Sequence, residues 1–198
     1  ASVYATEIAD NTATDQGGGI YATGATTTVL IRNTAVTGNV AGLEGGGIWA
    51  GLGAKVIMDR VDGPCFDAAR CSDLSGNGIT QSNLYVPGAA VWAESGADVE
   101  IYQTLAEGNH VTATSDGGSV FYATGAGSTL TAEGIRLWNN QECDALFEGQ
   151  DNAQLSIAFV SASRNVWDGG FNASPVALTT NATATLNSSV FYPNLPVI

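Results

Sequence analysis

Acid–base chemistry in this chain would fall to Glu7, Glu44, Asp59, Asp98, Glu133 and Asp168, with Arg32, Arg60, Arg70, Arg136 and Arg164 as the basic partners. Calcium-assisted lyase chemistry needs clustered carboxylates for the metal and an Arg or Lys to take a proton. Glycoside hydrolysis needs two carboxyl groups about 5–9 Å apart. The acids are spread along the chain, and the nearest candidate pair in sequence is Asp59 and Asp62. The lone histidine, His110, has no ligand motif around it, and the spacing of Cys65 and Cys71 is not that of a zinc site. Those two cysteines sit in GPCFDAARCSD beside a Gly-Pro turn. We read them as a local disulfide, which fits an oxidising compartment; the alternative is three reduced thiols, Cys143 included. GGGIYATG, Gly17 to Gly24, is rich enough in glycine to cradle a phosphate, but no GxxxxGK[ST] follows and Lys55 is the only lysine. No cofactor or metal is expected.

Charge narrows the partners. Six Lys and Arg face 19 Asp and Glu, a net charge of −13, so phosphate backbones and anionic headgroups are repelled. No apolar run is long enough for a transmembrane helix, and no basic-then-apolar leader opens the chain. The 198 residues suit one domain, residues 1–198. The first residues already lie within a repeat, so a fragment or processed piece of a longer chain is expected. Asn172, Asn181 and Asn187 open N-x-S/T sequons, which matter in a glycosylating source.

What would position any such residues is a repeat. An apolar residue followed three positions later by Asn recurs in IADN, VTGN, LSGN, LWNN, ASRN and FYPN, with LAEGN read as the same unit plus one residue. The series is Asn11, Asn39, Asn77, Asn109, Asn140, Asn165 and Asn194, at spacings of 28, 38, 32, 31, 25 and 29. The longest spacing holds the cysteine loop, read as an insertion at about 59–74. Between successive Asn residues comes an aliphatic column, Ile20, Ile48, Val91, Phe121, Leu146 and Val176. An alternating segment follows, with inner pairs Val29/Ile31, Val56/Met58, Val99/Ile101, Leu130/Ala132 and Leu155/Ile157. Period 2 marks half-buried strands.

A unit this short cannot bury its own core; stacked units can. The pattern predicts an all-β, right-handed parallel β-helix (β-solenoid) of about six coils of 25–38 residues, with three short strands per coil. Gly17–Gly19 then serve a tight corner. The Asn residues are expected at left-handed turn positions, with their amides hydrogen-bonded along the axis.

Beside the aliphatic column runs an aromatic one: Tyr21, Trp49, Trp92, Tyr122 and Phe147. If the aliphatic residues point inward, these point outward as a ladder. Exposed rings stack on sugars or dock another protein. The alternatives are that the rings are covered by the chain itself, or that the aromatic column is the inner one. Leu30 and Ile57 add apolar side chains on the outer face of the strands. Arg32, Asp59, Arg60, Glu133 and Arg136 fall at similar points of the repeat, which suggests ion pairs between coils, each worth little.

These repeats resemble those of bacterial surface β-helices, the autotransporter passengers and the chlamydial polymorphic outer-membrane proteins, which carry paired GGA(I/L/V) and FxxN motifs. Here GGGI occurs twice, GAAV once at Gly88–Val91, and FYPN once. The resemblance implies an extracellular or cell-surface (secreted) scaffold used in adhesion or display. The leading expectation is a non-enzymatic module binding a protein partner or glycan through the aromatic column, with neighbouring subunits or further sequence covering the solenoid ends. The alternatives are a polysaccharide lyase or glycoside hydrolase of β-helix type, and an ice- or surface-binding protein using ATTTV and TATL.

Overall fold

A computed structural model describes residues 1–63, 72–80, 88–112, 118–141, 143–167, 174–192 and 195–196, with the backbone alone at 143–144, 166–167 and 195–196. Cys65, Cys71, Arg70, Asp168, Asn172 and Asn194 lie outside the described residues, as does the side chain of Cys143. The expected disulfide therefore lies there too.

The described chain is all β and winds as a parallel solenoid. The first sheet stacks Ser2–Tyr4, Thr28–Arg32, Lys55–Asp59, Asp98–Tyr102, Thr129–Glu133, Gln154–Ala158 and Thr183–Asn187, every neighbour parallel and in register. Val29, Val56, Val99, Leu130 and Leu155 form one continuous inward file, all buried. Alternation is the cause: each strand offers two inward apolar positions and three outward ones, so pairing like with like builds a core no single coil has. At roughly 25 cal/mol per Å² of apolar surface removed from water, that continuous interior is the main source of stability.

The second sheet stacks Ile20–Thr23, Ile48–Gly51, Val91–Glu94, Gly118–Thr124, Cys143–Gln150 and Ser174–Leu178. The third face carries Leu105–Glu107, Arg136–Trp138, Ser161–Ser163 and Val190–Phe191, and is continued by Asp73 to Ala35–Thr37 and Glu7–Ala9. Beyond the Asn corner a two-residue pairing recurs at Thr12–Ala13, Val40–Ala41, Gly78–Ile79 and His110–Val111, and again between Val166–Trp167 and Leu195–Pro196. Between the first sheet and the third face, Ala35 follows Arg32 by three positions, whereas Asp73, which bridges Ala35, follows Asp59, which pairs with Arg32, by fourteen.

Inside the corner, the Asn amides form a ladder. Nδ2 of Asn11, Asn39, Asn77, Asn109 and Asn140 each donates to Oδ1 of the next Asn, at 2.9, 3.1, 3.2, 2.9 and 2.8 Å. The same Oδ1 also accepts the backbone N–H of the preceding ladder residue. The Asn itself is not left-handed, contrary to the sequence expectation. The residue before it is: Asp10, Gly38, Gly76, Gly108, Asn139 and Arg164 all have positive φ. That residue makes the turn, which frees the Asn to keep both its amide and its backbone N–H in the ladder. LAEGN also holds no extra residue. Ala106 is the buried position, paired with Leu137, and it stands three before Asn109 like its counterparts.

The triple glycines are explained by crowding at the next corner. A Cβ on Gly46 would lie 2.3 Å from the Gly78 carbonyl oxygen, and one on Gly18 would lie 2.4 Å from that of Gly46. Gly19 and Gly47 face the Asn ladder, where a Cβ would meet Asn39 and Asn77. At this same place in later coils stand Ala90, Val120 and Leu146, all buried. Along the stack the side chain at this place therefore grows from glycine to leucine.

Candidate functional site

The aromatic column lies on the outer side of the second sheet. Register aligns Tyr21, Trp49, Trp92 and Tyr122. Phe147 is not in this file: it pairs with Phe121, is fully buried, and stacks inside at 5.1 Å between ring centroids. Its neighbour Glu148 takes the column position beside Tyr122, so the expected ladder ends one ring early. Leu146, read as the inward column, belongs instead to the corner position just described. The local ALFEG segment offers two adjacent apolar residues, and the strand's phase selects Phe147 for the core.

The four aligned rings do not form an open platform. Tyr21 is 54% exposed, but Trp49, Trp92 and Tyr122 are only 3%, 7% and 4% exposed. Space left by glycine lets the indoles lie down on the sheet. A Cβ on Gly51 would sit 2.2 Å from the Trp49 ring, and one on Gly88 would sit 3.3 Å from that of Trp92. Each indole N–H then finds a carboxylate: Trp49 Nε1 donates to Glu44 and Trp92 Nε1 to Glu94, both at 3.1 Å. A buried indole needs such a partner. Tyr21 stacks on Trp49 at 4.5 Å and 4°, and Trp92 meets Tyr122 at 4.5 Å and 44°.

What remains accessible is Tyr21, with one face against Trp49. It borders a surface groove lined by Thr12, Ala13, Thr14, Asp15 and Gln16. Gln16 Nε2 donates to Glu44 at 2.7 Å, tying the groove to the Trp49 carboxylate. Burial pushes the Glu44 carboxyl above its usual range and the Glu94 charge adds to that, while hydrogen bonds from Gln16 and Trp49 oppose it.

The other candidate residues are scattered. Lys55 reaches Asp98 at 2.6 Å and Glu100 at 2.5 Å on the outer face of the first sheet. Burial alone would raise the Asp98 carboxyl, but hydrogen bonds from Lys55 and Thr129 outweigh it and lower it. Among the described residues no ion pair joins Arg32, Asp59, Arg60, Glu133 or Arg136, so the expected inter-coil series is replaced by this one triad. Asp59 and Glu133 line a groove with Tyr102, Gln103 and Phe159, two rows apart, about 10 Å along the stack. Among the described residues no three His, Cys, Asp or Glu side chains come together as a metal site. The outward threonines of the first sheet are Thr28 in an early row and Thr129, Thr131, Thr183 and Thr185 in later ones, and the array is broken between them by Lys55, Asp98 and Glu100, beside Leu30 and Ile57. Asn181, at a sequon, is an exposed left-handed turn residue, and Asn187 ends a first-sheet strand.

One cluster escaped sequence reading. Arg136 and Arg164 both stack on Trp138, their guanidinium carbons 4.9 and 4.7 Å from the ring centroid. The only signal for it was the spacing of the two arginines, close to one coil.

Compared with known proteins, residues 5–23 match the Chlamydia polymorphic membrane protein (Chlamydia_PMP) repeat. The matched segment contains the first Asn corner and the first GGGI. No curated protein and no solved structure matched the chain. Together with the parallel solenoid, the match supports a β-helix of similar type, with the match itself confined to residues 5–23.

Proposed function

We propose that the chain is a surface-exposed β-helical scaffold, extracellular and non-enzymatic, that recognises a glycan at the Tyr21 end of its aromatic column. The observation that carries this reading is Tyr21 itself: a ring 54% exposed, yet held flat on Trp49. A ring fixed before binding loses little rotamer freedom on contact. Its open surface suits the C–H face of a sugar, and the Thr12, Thr14, Asp15 and Gln16 side chains beside it supply hydroxyl, carboxylate and amide groups for hydroxyl recognition. A net charge of −13 favours neutral saccharides over acidic ones. The repeat match at residues 5–23 supports the surface assignment.

The test is titration with a panel of neutral oligosaccharides, read through tryptophan emission, to which Trp49 contributes from directly beneath the site. We expect saturable binding that Tyr21→Ala weakens by tenfold or more with an unchanged far-ultraviolet spectrum. Phe159→Ala, which removes an exposed ring elsewhere, should leave binding intact. Equal binding by wild type and Tyr21→Ala would overturn the proposal, as would no response to any saccharide; in the latter case a protein ligand becomes the reading to pursue.

A further inference from the structure

The outer side of the third face is charged oppositely at its two ends, and the recognition reading uses neither. Towards the first rows, Glu7, Asp10, Asp73 and Glu107 line an open groove with Thr37 and Ser75. Farther along the stack, the strand Arg136–Trp138 buries Leu137 and turns Arg136 and Trp138 outward, and Arg164 reaches the same indole from the next coil. Both arginines are exposed, and among the described residues neither enters an ion pair. That is unexpected in a chain where acids outnumber bases 19 to six. Stacking on the indole fixes each guanidinium in place without using its N–H donors, which stay available to a carboxylate from outside.

We infer that this face pairs with the same face of a second copy of the chain, antiparallel, about a two-fold axis perpendicular to the solenoid axis. The rows run Glu7–Ala9, Ala35–Thr37, Asp73, Leu105–Glu107, Arg136–Trp138, Ser161–Ser163 and Val190–Phe191. An axis midway between the Asp73 and Leu105–Glu107 rows sets the Ser161–Ser163 row, which Arg164 follows, against the partner's Glu7–Ala9 row, which Asp10 follows. It also sets the Arg136 row against the partner's Ala35–Thr37 row, one row from Glu7. A two-fold contact must be self-complementary. A face of one sign cannot be; a face graded from negative to positive is, in this orientation alone.

The face is small, about 30 Å long and 10 Å wide from strand dimensions, well below a standard interface. Two copies of −13 also repel at long range. The pairing is therefore weak and strongest near physiological salt, where distant charges are screened and contact pairs are not.

Sedimentation velocity over a concentration series in about 0.15 M salt tests this with three partners. Wild type should show a concentration-dependent monomer–dimer equilibrium that stops at dimer. Arg136→Glu/Arg164→Glu, with two acidic ends, should be monomeric, and so should Glu7→Arg/Asp10→Arg, with two basic ends. Mixing these two variants should restore a dimer, which misfolded variants could not do. Arg32→Glu/Arg60→Glu changes net charge as much as the first variant and should still dimerise. A strictly monomeric wild type overturns the inference. So does dimerisation of the two-acidic-end variant at the wild-type level, failure of the mixture, or an open-ended series of oligomers, which would point to stacking at the solenoid ends.

Discussion

Glu44 shows how one residue links the packing of the aromatic column to pH. Its carboxylate accepts from Gln16 and from Trp49, yet burial keeps its protonation range above the ordinary 4.5. For an acid raised in the folded state the sign is definite. As pH climbs past 4.5 the unfolded chain gives up this proton first, the folded chain binds more protons, and stability falls until the raised native value is passed. Glu44→Gln removes that contribution while keeping an oxygen to accept both hydrogen bonds. The urea midpoint of the variant relative to wild type should therefore rise between pH 4 and pH 7; a flat or falling difference would count against this account. Single residues also mark where sequence reading ran out. Phe147 was misplaced because Leu146 and Phe147 are both apolar and no alternation flanks them. Leu105 was chosen over Ala106 because it is the more apolar of the two, although the register places Ala106 inward. Left-handed residues are Asp, Gly, Asn and Arg before the ladder and include Ala5, Leu52, Gln103 and Phe159 at other turns, which leaves no common letter to find.

At the scale of elements, the first-sheet strands were legible from period 2 alone, since each carries its own alternation. The second sheet was half legible. Its glycine corners announced themselves, but burial of both its faces in the middle coils could not be seen in advance, because it depends on indoles folding over glycines two or four residues away. The Asn ladder was legible as a spacing, and its energetics follow from its bonds. Removing the Asn77 side chain takes away the one oxygen, Oδ1, that accepts from both the buried backbone N–H and the Nδ2 of Asn39, and takes one donor from Asn109. We expect Asn77→Ala to cost about 2–4 kcal/mol by equilibrium denaturation, at about 1–3 kcal/mol per orphaned buried group. Asn11→Ala, at the exposed end of the ladder, should cost less than half as much. Equal costs at the two sites would mean that the ladder adds nothing beyond local turn structure.

The whole molecule is a stack whose coils are not equally protected. In the last described coil the inward positions Leu178 and Leu186 are 43% and 51% exposed, whereas their counterparts in the middle coils are buried. A coil with a neighbour on one side buries about half the apolar surface of one with two. Stability is a sum over such contacts, so local opening should be cheapest there. Amide hydrogen exchange should accordingly be fastest in Thr183–Asn187 and slowest in Asp98–Tyr102, although the two are equivalent strands of one sheet. Uniform protection along the sheet would contradict this. Fold class was legible at this scale because repetition amplifies a weak local signal. The proposed recognition surface was not, because it depends on which rings the fold leaves uncovered.

The corner that runs from Gly19 and Gly47 through Ala90 and Val120 to Leu146 has a consequence for how such a chain finds its threading. Identical rungs could pair with the wrong neighbour and still look satisfied. Here a slip of one rung toward the glycine end would drive Ala90 into a slot only glycine fits and Leu146 into a slot filled by a valine, and a slip the other way would leave a void. The graded corner thus works as an address written along the stack, and a duplicated or transplanted rung would carry the wrong one.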